Sequence, residues 1–184
     1  LTSIMNMFDG CSSLVSLPVF DTSKVTLANY FCSGASSLVT IGKFNFDKVP
    51  SLQQGFANTN LTSFPSIDLP ECTVLASTFE NAPLVSFPNI KLPKAKNISA
   101  AWRGCTDLQS FPLLQVPEAT DVRYAWQNCS SLTAFPSLDF PKATNFSSAW
   151  EGCSSLLSFP KLSNCSLVTN IVRAWYKCSS MLSW

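Results

Sequence analysis

The chain has 184 residues, a net charge of +1, 46% hydrophobic residues and 12% charged residues. The apolar share is large enough for a continuous core, while the near-zero net charge argues against an electrostatic nucleic-acid interface, which needs clustered lysines and arginines. No apolar run approaches the roughly 18 residues that span a bilayer, and no signal-peptide pattern opens the sequence. We therefore expect no nucleic-acid partner and no direct membrane insertion of this segment.

A unit of about 24 residues repeats through the whole chain. Copies begin at Phe8, Cys32, Phe56, Phe79, Trp102, Trp126, Trp150 and Trp175, the last of them partial. The three that begin at Trp102, Trp126 and Trp150 repeat a cysteine, a leucine and a Phe-Pro pair in register. A fixed period of this length predicts a solenoid in which each unit contacts only its neighbours. We predict one solenoid domain over 1–184, with about seven units and no caps, as a piece of a longer array.

The hydrophobic pattern within a unit predicts two kinds of local structure. In the fifth copy, Leu114 and Val116 alternate with Leu113 and Gln115, which is typical of a short strand with one buried face. A proline that follows once per unit lacks an N–H donor and marks the end of that strand. Apolar residues over 119–126 recur at steps of three and four, which predicts a short helical or 3₁₀ turn. The predicted fold class is a right-handed α/β-type solenoid with a parallel sheet on one face and short helical turns on the other.

The repeated piece "AWxGCSSLxSFPxLxxPxAT" resembles the BspA-type leucine-rich repeat, whose units carry an aromatic residue, Gly-Cys, Ser-Leu and an apolar-Pro stretch. The piece that matches best is "MFDGCSSLVSLPVFDTSKVT" at 7–26, and the resemblance covers essentially the whole chain. The departures are Trp where Phe or Met is usual, and Phe-Pro where Leu or Ile is commoner. The resemblance implies a curved solenoid used for binding or adhesion at cell surfaces, with no common catalytic residues.

The eight cysteines allow three interpretations. One position of the repeat is shared by Cys11, Cys105, Cys129, Cys153 and Cys178. Cys32 and Cys72 stand where other copies have aromatic residues, Val or Ala, and Cys165 has no firm apolar equivalent. A cysteine that alternates with apolar residues behaves as a small buried hydrophobe, so we favour a ladder of reduced thiols in the core. Disulfides between neighbouring units, and a metal site that would lack both CxxC and histidine, are the alternatives.

The aromatic residue that opens each unit predicts a column in the core. Its members are Trp102, Trp126, Trp150 and Trp175, together with Phe8, Phe56 and Phe79. One large aromatic side chain per unit at a constant position fills the interior of a solenoid. The alternative is a surface platform on which sugars stack.

The residue types offer little for catalysis. The chain has no histidine, which excludes the Ser-His and Cys-His nucleophile pairs. Asp21, Asp68 and Asp139 share one repeat position but lie two or three units apart, about 10–14 Å, too far for a glycosidase pair. We therefore expect no enzyme activity, no cofactor and no metal.

The same alternation predicts the binding face, because residues 113 and 115 point out of the sheet when Leu114 and Val116 point inward. The first outward ladder is Val19, Lys43, Ser66, Asn89, Leu113, Ser137 and Lys161. The second is Asp21, Asn45, Asp68, Lys91, Gln115, Asp139 and Ser163. These positions vary between copies while the buried ones do not, which fits a ligand-binding face or a merely solvated one.

These patterns together favour a non-catalytic binding module, either a surface adhesin or a receptor-binding repeat domain. The expected partner is a protein or glycan on a host or neighbouring cell surface, and the expected location is extracellular or at the cell surface. The alternative is a structural stalk, fibre or decoration segment of a virion or cell-surface assembly, which would place the chain on a virion surface. Five sequons, at Asn60, Asn97, Asn128, Asn145 and Asn164, are glycan acceptors only in a secreted eukaryotic chain.

Overall fold

In the computed structural model, which describes residues 1–159 and 162–182, each repeat forms one coil of a solenoid. Backbone bridges join residues 23 to 25 positions apart, and all of them are parallel. Because this spacing equals the repeat length, every coil pairs with the coil before it and the coil after it. The predicted repeat solenoid is confirmed.

All but one of the bridges in the described residues fall at two places of the coil, and the remaining one is Asp139–Ser163. The first place holds Ser3–Leu27, Ser51–Val74, Val74–Asn97, Asn97–Asp121, Asp121–Asn145 and Asn145–Asn170. The second holds Ser16–Thr40, Ser86–Ser110, Ser110–Ala134 and Ala134–Ser158. Every bridge is isolated, so residues 1–159 and 162–182 contain no strand longer than one bridged residue. The parallel pairing is thus present, but a continuous sheet is not.

The helical part of the prediction is wrong: turns replace helices throughout the described residues. The N–H groups of Ala100, Trp102 and Gly104 donate to carbonyls of the next coil at 2.8, 2.9 and 2.7 Å. An N–H that bonds to a neighbouring coil is not available for the bond to residue i−4 that an α-helix requires. The steps of three and four arise instead from successive i to i−3 turns, such as Ala101 N–H to the Ile98 carbonyl at 3.1 Å. No helix in the described residues is therefore long or apolar enough to span a membrane.

The predicted strand at residues 114–116 is only partly correct. Leu114 and Val116 are buried and Leu113 and Gln115 are exposed, so the alternation is confirmed. Along this stretch of the coils, however, the single bridge is Asp139–Ser163, among the residues described. The Leu114 N–H donates within its own coil, to the Pro112 carbonyl at 2.8 Å, and this local turn withdraws it from pairing with the neighbouring coil.

A left-handed backbone, with φ between 52° and 75°, recurs at two positions of the coil, and Asn164 adds a single residue outside them. At one position they are Gly10, Gly34, Asn58, Asn81, Gly104, Asn128, Gly152 and Lys177. Four residues earlier they are Asn6, Tyr30, Gln54, Ser77, Ala100, Tyr124, Ser148 and Arg173. Glycine and asparagine tolerate this region, whereas other residues pay about 1–2 kcal/mol. The turns of the coil are therefore set by hydrogen bonds to the next coil as well as by residue preference.

We expect Ala101→Gly to cost about 1–2 kcal/mol more in free energy of unfolding than Ala100→Gly. Both residues are buried alanines, so both variants lose one methyl group and gain the same chain flexibility in the unfolded state. Only Ala100 has positive φ, at 53°, so only Ala100→Gly relieves left-handed strain. Urea unfolding of the two variants measures the difference, and equal losses would contradict the described backbone.

Gly152 lies under the side chain of Asn128 from the preceding coil. A Cβ at Gly152 would stand 2.3 Å from Asn128 Oδ1, and φ there is +75°. We expect Gly152→Ala to lower the free energy of unfolding by about 2 kcal/mol, through backbone strain and displacement of the amide. When Asn128 is first replaced by glycine, Gly152→Ala introduces only the backbone strain. The free energy of unfolding should then fall by about 1 kcal/mol instead. Urea titration in both backgrounds tests this, and an undiminished loss would contradict the close approach.

Two aromatic columns fill the core. Trp102, Trp126 and Trp150 are fully buried and stack with ring centroids 5.6 and 5.4 Å apart and planes within 3° and 8°. Beside them, Phe111 and Phe135 stack at 5.6 Å, and each ring meets the tryptophan of its own coil edge-on at 4.8 and 4.7 Å. The predicted core column is confirmed, and the surface platform for sugars is contradicted. Trp184 lies outside the described residues.

The cysteine position forms a third column. Cys105, Cys129 and Cys153 are fully buried, and their thiols donate to the carbonyls of Phe79, Trp102 and Trp126, each at 3.2 Å. All eight cysteines are free thiols. Cys11 differs by being exposed. The core role predicted for this position is confirmed in the inner coils.

Candidate binding groove

The structure places both predicted ladders on the surface. The exposed members are Val19, Lys43, Ser66, Asn89, Leu113 and Ser137 in the first ladder, and Asp21, Asn45, Asp68, Lys91, Gln115, Asp139 and Ser163 in the second. Lys161 lies outside the described residues. The intervening side chains of Ile67, Ile90, Leu114 and Leu138 point into the core. The prediction that these positions face outward is therefore confirmed for all described members.

Side chains of the second ladder also bond one coil to the next. Asp68 Oδ1 accepts a hydrogen bond from the Lys91 N–H at 2.9 Å, and Asp68 Oδ2 lies 3.5 Å from Lys91 Nζ. The Asp68 carboxylate thus takes the place of a backbone carbonyl in joining the coils. Asp139 Oδ1 similarly accepts the hydroxyl hydrogen of Ser163. Some residues of the second ladder therefore stabilise the stacking of the coils in addition to facing solvent.

Two adjoining concavities of about 420 and 360 Å³ lie along the ladders and share Leu113, Gln115 and Pro117. We call them together the ladder groove. It is lined by Asp68, Asn89, Ile90, Lys91, Leu92, Pro93, Leu113, Leu114, Gln115, Val116, Pro117, Ser137, Leu138, Asp139, Pro141 and Asn164. The groove therefore runs along the solenoid axis across five successive coils.

The groove is narrower than the predicted face. Lys43, Asn45 and Ser66 are exposed but do not line it. The sequence reasoning also missed one wall, formed by Pro93, Pro117 and Pro141. The recurrence of these prolines was the available signal, although it indicated only where each strand ends.

Most charges near the groove are paired. Lys94 Nζ lies 2.7 Å from a Glu71 carboxylate oxygen, and Lys142 Nζ lies 2.6 Å from Glu118. Lys91 is associated with Asp68, in an exposed pair that stabilises little. Asp139 has no ion pair within the part of the chain that the structure describes. The groove thus presents one carboxylate without a cationic neighbour among these residues.

The remaining lining is apolar or amide. Leu113 protrudes between the two concavities and is 59% exposed. Gln115 and Asn89 offer amide donors and acceptors beside it. No tryptophan, tyrosine or phenylalanine among residues 1–159 and 162–182 lines the groove. The arrangement can therefore bind a ligand by apolar contact, amide hydrogen bonds and one ionic contact.

The other chemical candidates lie elsewhere. Residues 1–159 and 162–182 hold no group of three or more Cys, Asp or Glu side chains arranged for a metal ion. Among the sequons, Asn97 and Asn145 use Oδ1 to accept the N–H of Ser99 and Ser147, at 2.9 and 2.8 Å. Asn60, Asn128 and Asn164 are exposed. Glycosylation of any of the five stays a prediction.

No family model and no curated protein matches the sequence. The chain is similar to a leucine rich cell surface protein of Faecalibacterium prausnitzii, with 18% identity and a TM-score of 0.39 over 97% of this chain and 61% of that one. It is also similar to a leucine-rich repeat protein of Bacteroides ovatus, with 18% identity and a TM-score of 0.47 over 100% of this chain and 63% of that one. The chain spans less than two thirds of the length of either structure. The pairing of successive repeats defines the class of the chain, a stacked-repeat solenoid with an exposed groove.

Proposed function

We propose that this chain is a non-catalytic recognition module of a surface protein and binds a protein partner through the ladder groove. The observation that carries the proposal is a groove that continues across five coils with Leu113 protruding at its centre. Leu113 adjoins the exposed Pro93, Pro117 and Pro141 of the same lining, and an apolar strip with polar rims is typical of a protein contact site. An extracellular or cell-surface location belongs to the same proposal.

A protein partner is favoured over a glycan. Sugar rings are commonly held against an exposed aromatic face, and the groove lining has none in the part of the chain that the structure describes. The aromatic columns that could have served are buried in the core. Amide groups and one carboxylate would bind a glycan only at its hydroxyls, without the apolar contact that Leu113 offers.

The test measures binding of the labelled chain to a panel of bacterial and animal cells. One portion of each cell type is treated with trypsin, which removes surface proteins, and another with periodate, which oxidises glycans. The groove variant combines Leu113→Ser with Asp139→Asn, and the matched control combines Leu157→Ser with Asp107→Asn, both exposed but outside the groove. We expect saturable binding that trypsin and the groove variant abolish and that periodate and the control leave intact. Binding retained by a folded groove variant would refute the proposal.

A structural segment is the second candidate, and the continuous aromatic columns favour it. From Phe56 through Phe79 to Trp102, Trp126 and Trp150, every ring stacks on the ring of the next coil. Such a stack, with ion pairs between coils, makes a stiff spacer. Absence of binding to every cell type would favour this function over recognition.

A further inference from the structure

The geometry points to an extended peptide segment of the partner as the occupant of the ladder groove, with a basic side chain at Asp139 and an apolar side chain against Leu113. This inference rests on the proposed function and specifies the chemistry of the partner. Three features of the groove carry it: its length, its charge and its apolar centre.

The length of the groove fits a short extended peptide. The lining runs from the coil of Asp68 to the coil of Asn164, which is four coil-to-coil steps. At about 4.8 Å per step the groove is about 19 Å long. An extended chain advances about 3.3 Å per residue, so about six residues fill it.

The charge of the groove selects a basic side chain. Lys91, Lys94 and Lys142 each lie beside a carboxylate of the neighbouring coil. Asp139 accepts a hydroxyl hydrogen from Ser163, and no cation pairs with it in the described residues. A lysine or arginine of the partner would supply a charge-assisted hydrogen bond at this carboxylate. An acidic side chain there would meet like charge.

The centre of the groove selects an apolar side chain one coil away. Leu113 belongs to the coil before that of Asp139 and is common to both concavities. Pro117 also lines both concavities and adds apolar surface without an N–H donor. An apolar partner residue that packs on Leu113 and Pro117 removes their apolar surface and its own from water, one coil away from the ionic contact.

Two libraries of fluorescent hexapeptides test the inference by anisotropy. Every peptide has a leucine at its third position. In the first library one further position is fixed as lysine, and in the second library the same position is fixed as glutamate; each of the remaining positions is fixed in turn. The proteins are the parent, Asp139→Lys, Leu113→Ser and the control Asp107→Asn, with urea midpoints confirming that each is folded. We expect the lysine library to bind the parent and the control about tenfold more tightly than the glutamate library. We expect Asp139→Lys to reverse this preference and Leu113→Ser to weaken both libraries.

The outcomes separate this inference from the proposed function. Equal affinity of the two libraries, or a lysine preference that survives Asp139→Lys, would overturn the charge assignment. If the groove variant still loses cell binding in that case, the groove remains a recognition site with a different ligand chemistry. If the groove variant keeps its cell binding, the proposed function fails first, and the inference fails with it.

Discussion

Trp126→Ala is expected to lower the free energy of unfolding by about 3–5 kcal/mol. The ring is fully buried, stacks on Trp102 and Trp150, and meets Phe135 edge-on at 4.7 Å. Its removal leaves a cavity between two coils that are held apart by the remaining columns, so the site cannot collapse. Urea unfolding followed by far-UV circular dichroism measures the loss.

Trp126→Phe, compared with Trp126→Ala, separates the loss of ring packing from the loss of the indole N–H. Phe56 and Phe79 occupy the same position in earlier coils and are fully buried there. The Trp126 indole N–H is buried and has no hydrogen-bond partner among the described residues, which costs about 1–3 kcal/mol. Phenylalanine removes that cost and offsets part of the lost contact, so we expect a change well below that of alanine. Tyr124→Ala serves as the control, because this ring is exposed and its loss should change the free energy of unfolding only slightly. A Trp126→Ala variant with a nearly unchanged free energy of unfolding would contradict the core column.

The free energy of unfolding is expected to fall steeply above pH 9. Burial raises the pKa of the Cys129 thiol well above its usual 9.0 and raises the pKa of Cys72 to about 11. Above pH 9 the unfolded chain therefore releases thiol protons that the folded chain retains, and ionisation favours unfolding. Each such thiol lowers the free energy of unfolding by up to about 1.4 kcal/mol per pH unit until its folded pKa is reached. Below pH 8 this contribution is constant.

The measurement is the urea midpoint between pH 7.5 and 10 under reducing conditions. Cys129→Ala removes one buried thiol, so the free energy of unfolding should fall less steeply with pH in this variant than in the parent. A urea midpoint of the parent that stays constant up to pH 10 would mean that the thiols are exposed to solvent in the folded chain.

The features that sequence could predict are those in which one residue type holds one position. The aromatic, cysteine and leucine positions give the core because burial tolerates only apolar residues there. The outward ladders are predictable because a residue between two buried ones must face away from them. Glycine and asparagine at the position of Gly152 and Asn128 also carry a readable preference for positive φ.

The features that sequence could not predict are set by bonds between coils. Tyr30, Gln54, Ala100 and Arg173 all have positive φ at one repeat position, yet their side chains share no property that favours it. Their backbone follows from N–H groups that turn toward the next coil, as Ala100 does toward Arg123. The apolar spacing over 119–126 therefore resembled a helix while the chain forms turns. The groove wall was missed for a related reason, since its prolines come together only when coils stack.

The most direct test of groove recognition is carboxyl labelling of the chain free and bound to cells. A water-soluble carbodiimide with an amine modifies exposed carboxylates, and mass spectrometry reports the extent at each one. We predict that bound chain shows reduced labelling of Asp139 and unchanged labelling of Asp107, which is exposed outside the groove. Protection of Asp107 with full labelling of Asp139 would place the contact on another face and contradict the account.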